Sequence, residues 1–216
     1  IGVPTVRLRG QYRQGENSGV SEFARAIRHG QPPVRPPQNV LVHSGLSRPE
    51  ERMARLALAG QQRGAVPVAL TWRRDDWLSA NLVLQQALNP LGETVSKVVM
   101  EGTAGAKRSV ELRLGDHVAC TANLAHVRFF NGMTGRVLDR EDNTLTLRTE
   151  DGRIIKLSIG DAHCLELGYC LTVHRAQGGE WPHVLVYLPN EVKGDPQSWY
   201  YTAVSRARSR VDVVSS

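Results

Sequence analysis

No apolar run in this 216-residue sequence approaches the roughly 20 residues a membrane span needs, and its start lacks the charged and apolar regions of a signal peptide. An intracellular setting is the resulting expectation. Cysteine is scarce: Cys120, Cys164 and Cys170 form no C-x-x-C pair, and three thiols cannot all pair within one chain. Neither a zinc site nor a secreted disulfide framework is suggested, and a reducing compartment follows. Also missing are a Gly-x-x-x-x-Gly-Lys-(Ser/Thr) phosphate loop and a separate acidic pair to hold magnesium. By itself the chain therefore does not offer a complete site for splitting a nucleotide. There is no internal repeat and no low-complexity tract. The chain opens on Ile1 rather than methionine, which suggests a fragment or a processed product.

What is present favours a globule with a polyanionic partner. An apolar content of 41% permits a full core, and the length suits one large domain or one domain with an insertion. The formal charge of +6 favours nucleic acid, because each phosphate neutralised releases condensed counterions.

Along the chain, Val6 to Leu8 reads as a short strand, and a helix is predicted from about Gly19 to His29, where Gly30 can supply a left-handed stop. Gln31 to Gln38 holds four prolines and reads as a stiff connector. Strands at about 40–42 and 66–70 alternate with helices at about 50–63 and 75–88, the first opened by a capping box from Ser47 to Glu50. Strand, helix, strand, helix predicts a parallel sheet covered on both faces, with ligands at the carboxyl ends of its strands. From about Ser109 to Gly160 the pattern changes to short alternating segments, including a hairpin turn at Asp151-Gly152, which reads as an inserted antiparallel unit. A core strand at 183–188, a helix capped by Asp195 with Pro196 in its first turn, and a strand at 210–214 complete the chain.

The chemistry concentrates in Thr172-Val-His-Arg-Ala-Gln-Gly-Gly-Glu-Trp-Pro-His-Val184. Hydroxyl, imidazole, amide and carboxylate side chains sit there between two apolar runs, and Gly178 and Gly179 let backbone amides approach a phosphate or sugar. Two glycines alone can equally be a plain turn. A second cluster follows at Tyr201-Thr-Ala-Val-Ser-Arg-Ala-Arg-Ser-Arg-Val211.

Together the two clusters resemble motifs V and VI of the superfamily 1 helicases, particularly the RecD-like branch. Leu114-Gly-Asp116 and Phe129-Phe-Asn-Gly-Met-Thr-Gly135 resemble segments that precede and lie within a small barrel in that branch. Tyr12-Arg13 has the look of motif IV, and Thr71-Trp-Arg73 is loosely similar to a segment that meets single-stranded DNA. Structural support of the sheet edge is the expected role of Trp72.

The resemblance implies an α/β fold: a RecA-like parallel sheet with helices on both faces, interrupted by a small inserted antiparallel β-barrel. The second RecA-like core would span 1–108 and 161–216, and the insert 109–160. Arg206 would be an arginine finger and Arg13 a second phosphate-reaching guanidinium. Tyr12 would stack on adenine, Gln177 and Gly178 would lie beside the phosphates, and Glu180 would meet the ribose. Thr71, Arg73, Thr172 and His174 would contact DNA, while Arg208 and Arg210 would be packing or surface charges. For His174, an ordinary hydrogen-bonded histidine at a strand end is the competing reading. The implied cofactors are ATP and Mg2+, with the metal held by a first RecA-like domain that is also the expected partner, together with single-stranded DNA. The implied activity is that of the C-terminal motor half of an ATP-dependent DNA helicase moving 5′ to 3′. Two other classes stay open, a stand-alone single-strand-binding module and the motor part of a conjugative relaxase.

Overall fold

The computed structural model describes residues 19–31, 35–189 and 194–216, so the Val6–Leu8 strand, Tyr12 and Arg13 lie outside the described residues, as does part of the proline connector. Among the described residues the central sheet has five strands, all parallel, in the order β1 (Val40–His43), β12 (Ala207–Ser215), β11 (Trp181–Leu188), β2 (Val68–Thr71), β10 (Cys170–Thr172). Its two faces are sorted by the period-2 alternation of the strands. Val184, Val186, Val211 and Val213 meet α1 (Gly19–Arg28) and α4 (Pro196–Val204) through Phe23, Ile27, Trp199 and Ala203. Leu185, Tyr187 and Val214 meet α2 (Pro49–Gln62) and α3 (Arg74–Leu88) through Met53, Ala57, Trp77 and Leu84. The sheet is thus covered on both sides, as strand-helix alternation predicts. No helix among the described residues is long and apolar enough to cross a membrane.

Local rules account for most element ends. Gly30 and Gly64 take positive φ of 70° and 79° just beyond α1 and α2. Asp195 accepts a hydrogen bond from the Ser198 amide at 3.1 Å and Pro196 fills the first turn of α4. The Ser47–Glu50 capping box does not form. Pro49 opens α2, which makes Arg48 the N-cap residue with no side-chain cap and leaves Ser47 one position outside. The ring of Pro49 suits the first helical position, and that fixes the start two residues after Ser47.

The seven strands between Thr94 and Leu167 are antiparallel. A hairpin of β3 (Thr94–Glu101) and β4 (Lys107–Arg113) stands beside a sheet of order β8 (Ile154–Ser158), β7 (Thr144–Thr149), β6 (Thr134–Glu141), β5 (His117–Cys120), β9 (Leu165–Leu167). That ladder is open, with β8 and β9 at its edges, so hydrogen bonding does not close the unit into a barrel. Its interior residues Val98, Leu145, Leu157 and Leu165 join Trp77 and Leu84 in one continuous core. The insert is therefore fused to the α2/α3 face.

Its root is fixed by Asp116, a fully buried carboxylate. It accepts hydrogen bonds from Gln85 at 2.6 Å, Asn89 at 2.7 Å, the Arg113 amide at 2.8 Å and the Tyr169 hydroxyl at 2.8 Å. Four donors are what a buried carboxylate needs in place of water. Burial, followed by the Asp116 charge, drives the Tyr169 hydroxyl well above its ordinary ionisation range. Where the insert returns to the core, Gly168 lies against β5, and an added Cβ would stand 2.6 Å from the Val118 carbonyl carbon and 2.8 Å from its oxygen. Since backbone cannot rotate away as a side chain does, Gly168→Ala is expected to cost about 1–3 kcal/mol of stability, read as an earlier urea midpoint.

Candidate nucleotide and nucleic-acid interface

Thr71 and Thr172 end neighbouring parallel strands in register, at the edge where ligands collect in such sheets. The chain after Thr172 must leave the sheet, and it does so in a tight, anchored loop. The amides of Val173, Ala176, Gln177 and Gly179 donate to the carbonyls of Thr71, Thr172, His174 and Ala176 at 3.0–3.3 Å. Val173 and Ala176 are buried and hold the loop down, while His174, Gln177 and Gly178 stand exposed. Gly178 has φ of 89°, a conformation that a side chain would strain, and a Cβ at Gly179 would fall 2.4 Å from the Trp181 ring.

The loop is tied to the end of α4. The Trp181 amide donates to the Arg206 carbonyl at 2.9 Å, and the Arg206 guanidinium donates to the carbonyls of Thr202 at 3.2 Å and Gly179 at 3.4 Å. Only 8% of Arg206 is exposed. Glu180 accepts a hydrogen bond from Arg208 at 3.2 Å. Gln177, Gly178 and Glu180 thus share one loop, and Arg206, just beyond α4, meets that loop from behind at Gly179. Facing the loop across a cleft of about 840 Å³ are Asn131–Thr134 and the Glu150-Asp151 turn of the insert.

The residues expected to meet DNA divide. His174 is exposed, with its ring 5.6 Å from Trp72, which in turn meets the ring of Trp199 at 5.7 Å edge-on. Thr172 is partly exposed. Thr71 is fully buried, its hydroxyl donating to the Arg73 carbonyl at 3.4 Å, so its side chain supports the edge and does not reach the surface. The reason is strand position: β2 is flanked by β11 and β10, whereas Thr172 ends the outer strand β10. Arg73 is on the surface but makes a two-pronged hydrogen bond to Asp76 at 2.8 and 3.0 Å. Trp72 supports the edge as expected, by sitting between His174 and Trp199.

Among the described residues no three imidazole, thiol or carboxylate groups converge on a possible metal position. Near the cleft, Glu180 is engaged by Arg208 and Asp151 by Arg153. This donor set does not fit Mg2+.

A model of the UvrD-like helicase C-terminal domain matches residues 167–214, which span this loop, α4 and almost all of β12. The ATP-dependent RecD2 DNA helicase of Deinococcus radiodurans is 34% identical over 216 aligned residues, covering 96% of this chain and 28% of that protein. The chain belongs to the RecD-like branch of superfamily 1. A second relative of this RecD-like domain, the RecD subunit of the Mycolicibacterium smegmatis RecBCD enzyme, is 32% identical over 104 residues, or 48% of the chain and 18% of that subunit. The domain accordingly spans under a third of the length of these curated relatives. Its fold is similar to Pif1 helicase from Bacteroides in complex with ADP-AlF3 and ssDNA, with a TM-score of 0.64 at 18% identity over 96% of this chain and 51% of that one. It is also similar to Pif1 from Candida albicans, with a TM-score of 0.62 at 19% identity over 94% and 54%.

Two buried carboxylates of the RecD-like domain escaped sequence reasoning. Glu166 in Leu-Glu-Leu and Asp212 in Val-Asp-Val-Val are single carboxylates inside apolar strands, and both are buried. That isolation is itself the available signal, because a charge enters a core only with a partner.

Proposed function

We propose that the chain is the C-terminal motor half of a larger ATP-dependent DNA helicase. It would supply one wall of an ATP site whose phosphate loop and magnesium ligands come from a first RecA-like domain. The observation that carries this reading is the contact of Arg206 with the Gly179 carbonyl, which sets a guanidinium directly behind the loop that bears Gln177, Gly178 and Glu180. Phosphoryl transfer builds negative charge on the transferring group, and a positioned guanidinium stabilises it. In this reading Arg206 is the finger and Arg13 a second cation. Tyr12 stacks on the base, Glu180 meets the ribose, and Gln177 and Gly178 neighbour the phosphates. Thr172 and His174 meet the strand, Arg73 lies at the margin, and Thr71 supports them from below. Movement would run 5′ to 3′. The core is assigned to 1–108 and 161–216 and the insert to 109–160, with the β3–β4 hairpin extending the antiparallel unit toward Thr94.

His174→Ala in the full-length protein tests the strand-binding half. Losing an exposed ring from the cleft is expected to weaken single-stranded DNA binding roughly 5- to 10-fold, measured by fluorescence anisotropy at fixed salt. Unchanged affinity would remove His174 from the interface and leave it as the cover of Trp72.

A further inference from the structure

The loop that carries His174 and Gln177 is held from the insert as well as from the core. Arg175 is half-buried, whereas His174 and Gln177 of the same loop stand exposed. Its guanidinium pairs with Glu166 of β9 and lies 5.7 Å from the centre of the Trp77 ring. Glu166 is 6% exposed and also faces Arg74, the first residue of α3, at 3.9 Å. Arg74 is itself 5.5 Å from the same Trp77 ring and donates to the Glu101 carbonyl of β3 at 3.0 Å. The two backbones also come near each other. Gly132, in the insert turn that lines the cleft, comes close enough that an ideal Cβ would stand 3.7 Å from the Arg175 carbonyl oxygen.

Glu166 is therefore shared between two arginines and belongs to the strand through which the insert rejoins the sheet. The Glu166 carboxylate is buried and so needs a cationic partner, which the partly exposed Arg175 and Arg74 supply. Any shift of β9 must move Arg175, and with it the loop that runs on to Gln177, Gly178 and Glu180. We infer that the Glu166–Arg175 pair is the joint through which the inserted β unit sets the conformation of this loop, so that a strand seated against Asn131–Thr134 is sensed by the nucleotide-facing residues. This rests on the helicase reading above. Glu166 is a positioning residue: it lines neither the cleft nor the expected nucleotide wall. Arg74 and Trp77 form the fixed side of the joint, because both belong to α3.

The test is Glu166→Gln, which keeps shape and removes charge, with Glu166→Asp as a milder variant that keeps the charge on a shorter arm. In the full-length protein, stimulation of ATP turnover by single-stranded DNA is expected to fall about 3- to 30-fold in Glu166→Gln and less in Glu166→Asp, with turnover in the absence of DNA unchanged. Amide hydrogen exchange on this chain should accelerate across 174–179 and stay constant in β11 and α4. Full stimulation together with unchanged exchange would overturn the inference. So would faster exchange everywhere accompanied by a lower melting temperature, which would make Glu166 a general support. If the unsubstituted protein shows no stimulation by DNA, the helicase reading fails, and exchange across 174–179 then decides the joint by itself.

Discussion

Arg206→Ala in the full-length protein is expected to cut ATP turnover by roughly 10³-fold or more while single-stranded DNA binding stays within a few-fold of the starting value. The geometry behind this is specific. The guanidinium is 8% exposed and fixed by the carbonyls of Thr202 and Gly179, so it is oriented before any ligand arrives. A finger held in advance loses no conformational freedom in the transition state, and its charge acts in a site partly screened from water. The same burial means that alanine also leaves carbonyl groups with one donor fewer. Arg206→Lys separates the two contributions, because it keeps the charge on a similar stem but cannot bridge both carbonyls in a planar fork. Turnover lost in both variants with an unchanged melting temperature assigns Arg206 to catalysis. Turnover that falls only in step with melting would assign it to holding the loop against α4.

Asp212→Asn should produce the largest loss of stability, about 3–5 kcal/mol, seen as a drop in melting temperature of roughly 6–20 °C. Asp212 is fully buried on β12 and accepts hydrogen bonds from His43 at 2.9 Å, His183 at 2.7 Å and Arg210 at 2.8 Å. Three strands are joined through this one carboxylate, which also assigns Arg210 to packing, as the sequence suggests. Burial alone would raise its ionisation range, but the hydrogen bonds from His183, Arg210 and His43 outweigh that and hold it well below the ordinary carboxylate value. The sign follows from linkage. A depressed native pKa gives stability that is fully present above the unfolded value near 3.9 and is lost as pH falls toward the native one. Urea midpoints of the unsubstituted protein are thus expected to decline from about pH 5 downward, and those of Asp212→Asn to decline less steeply. Parallel slopes would detach Asp212 from acid sensitivity.

Much of the architecture was legible because it rests on local rules. The run from Val184 to Leu188 has the continuous apolar character of a strand buried on both faces, and Asp195-Pro196 is a helix start that needs no tertiary help. The gathering of Arg206 with Gly178 and Glu180 followed from matching two motifs. What stayed hidden depends on pairings far apart in sequence. Nothing near Thr94 announces β3, because its partner Arg113 and the core it joins are supplied by other segments. The open ladder of the insert is a matter of which edges find each other, and short alternating segments look the same in an open sheet and a closed one. Thr71 was expected to contact DNA because its segment resembles a DNA-contacting one, yet it is fully buried on β2, which lies between β11 and β10. The His43 and His183 partners of Asp212 and the Arg74 partner of Glu166 are set by the fold, so spacing along the chain could not reveal them.

The strand order carries a consequence for how the polypeptide is made. β1, near the start of the described chain, has among the described residues one ladder neighbour, β12, which lies about 170 residues later with Val40 opposite Val211. α1 likewise rests on α4, Phe23 meeting Tyr200 edge to face at 6.1 Å. During synthesis at the ribosome, β1 must therefore wait for its β12 partner to emerge, while β3 to β9 can already pair among themselves. Such delayed closure slows folding and leaves an apolar edge open to wrong neighbours, so nascent chains stalled before β12 should be the species that chaperones retain.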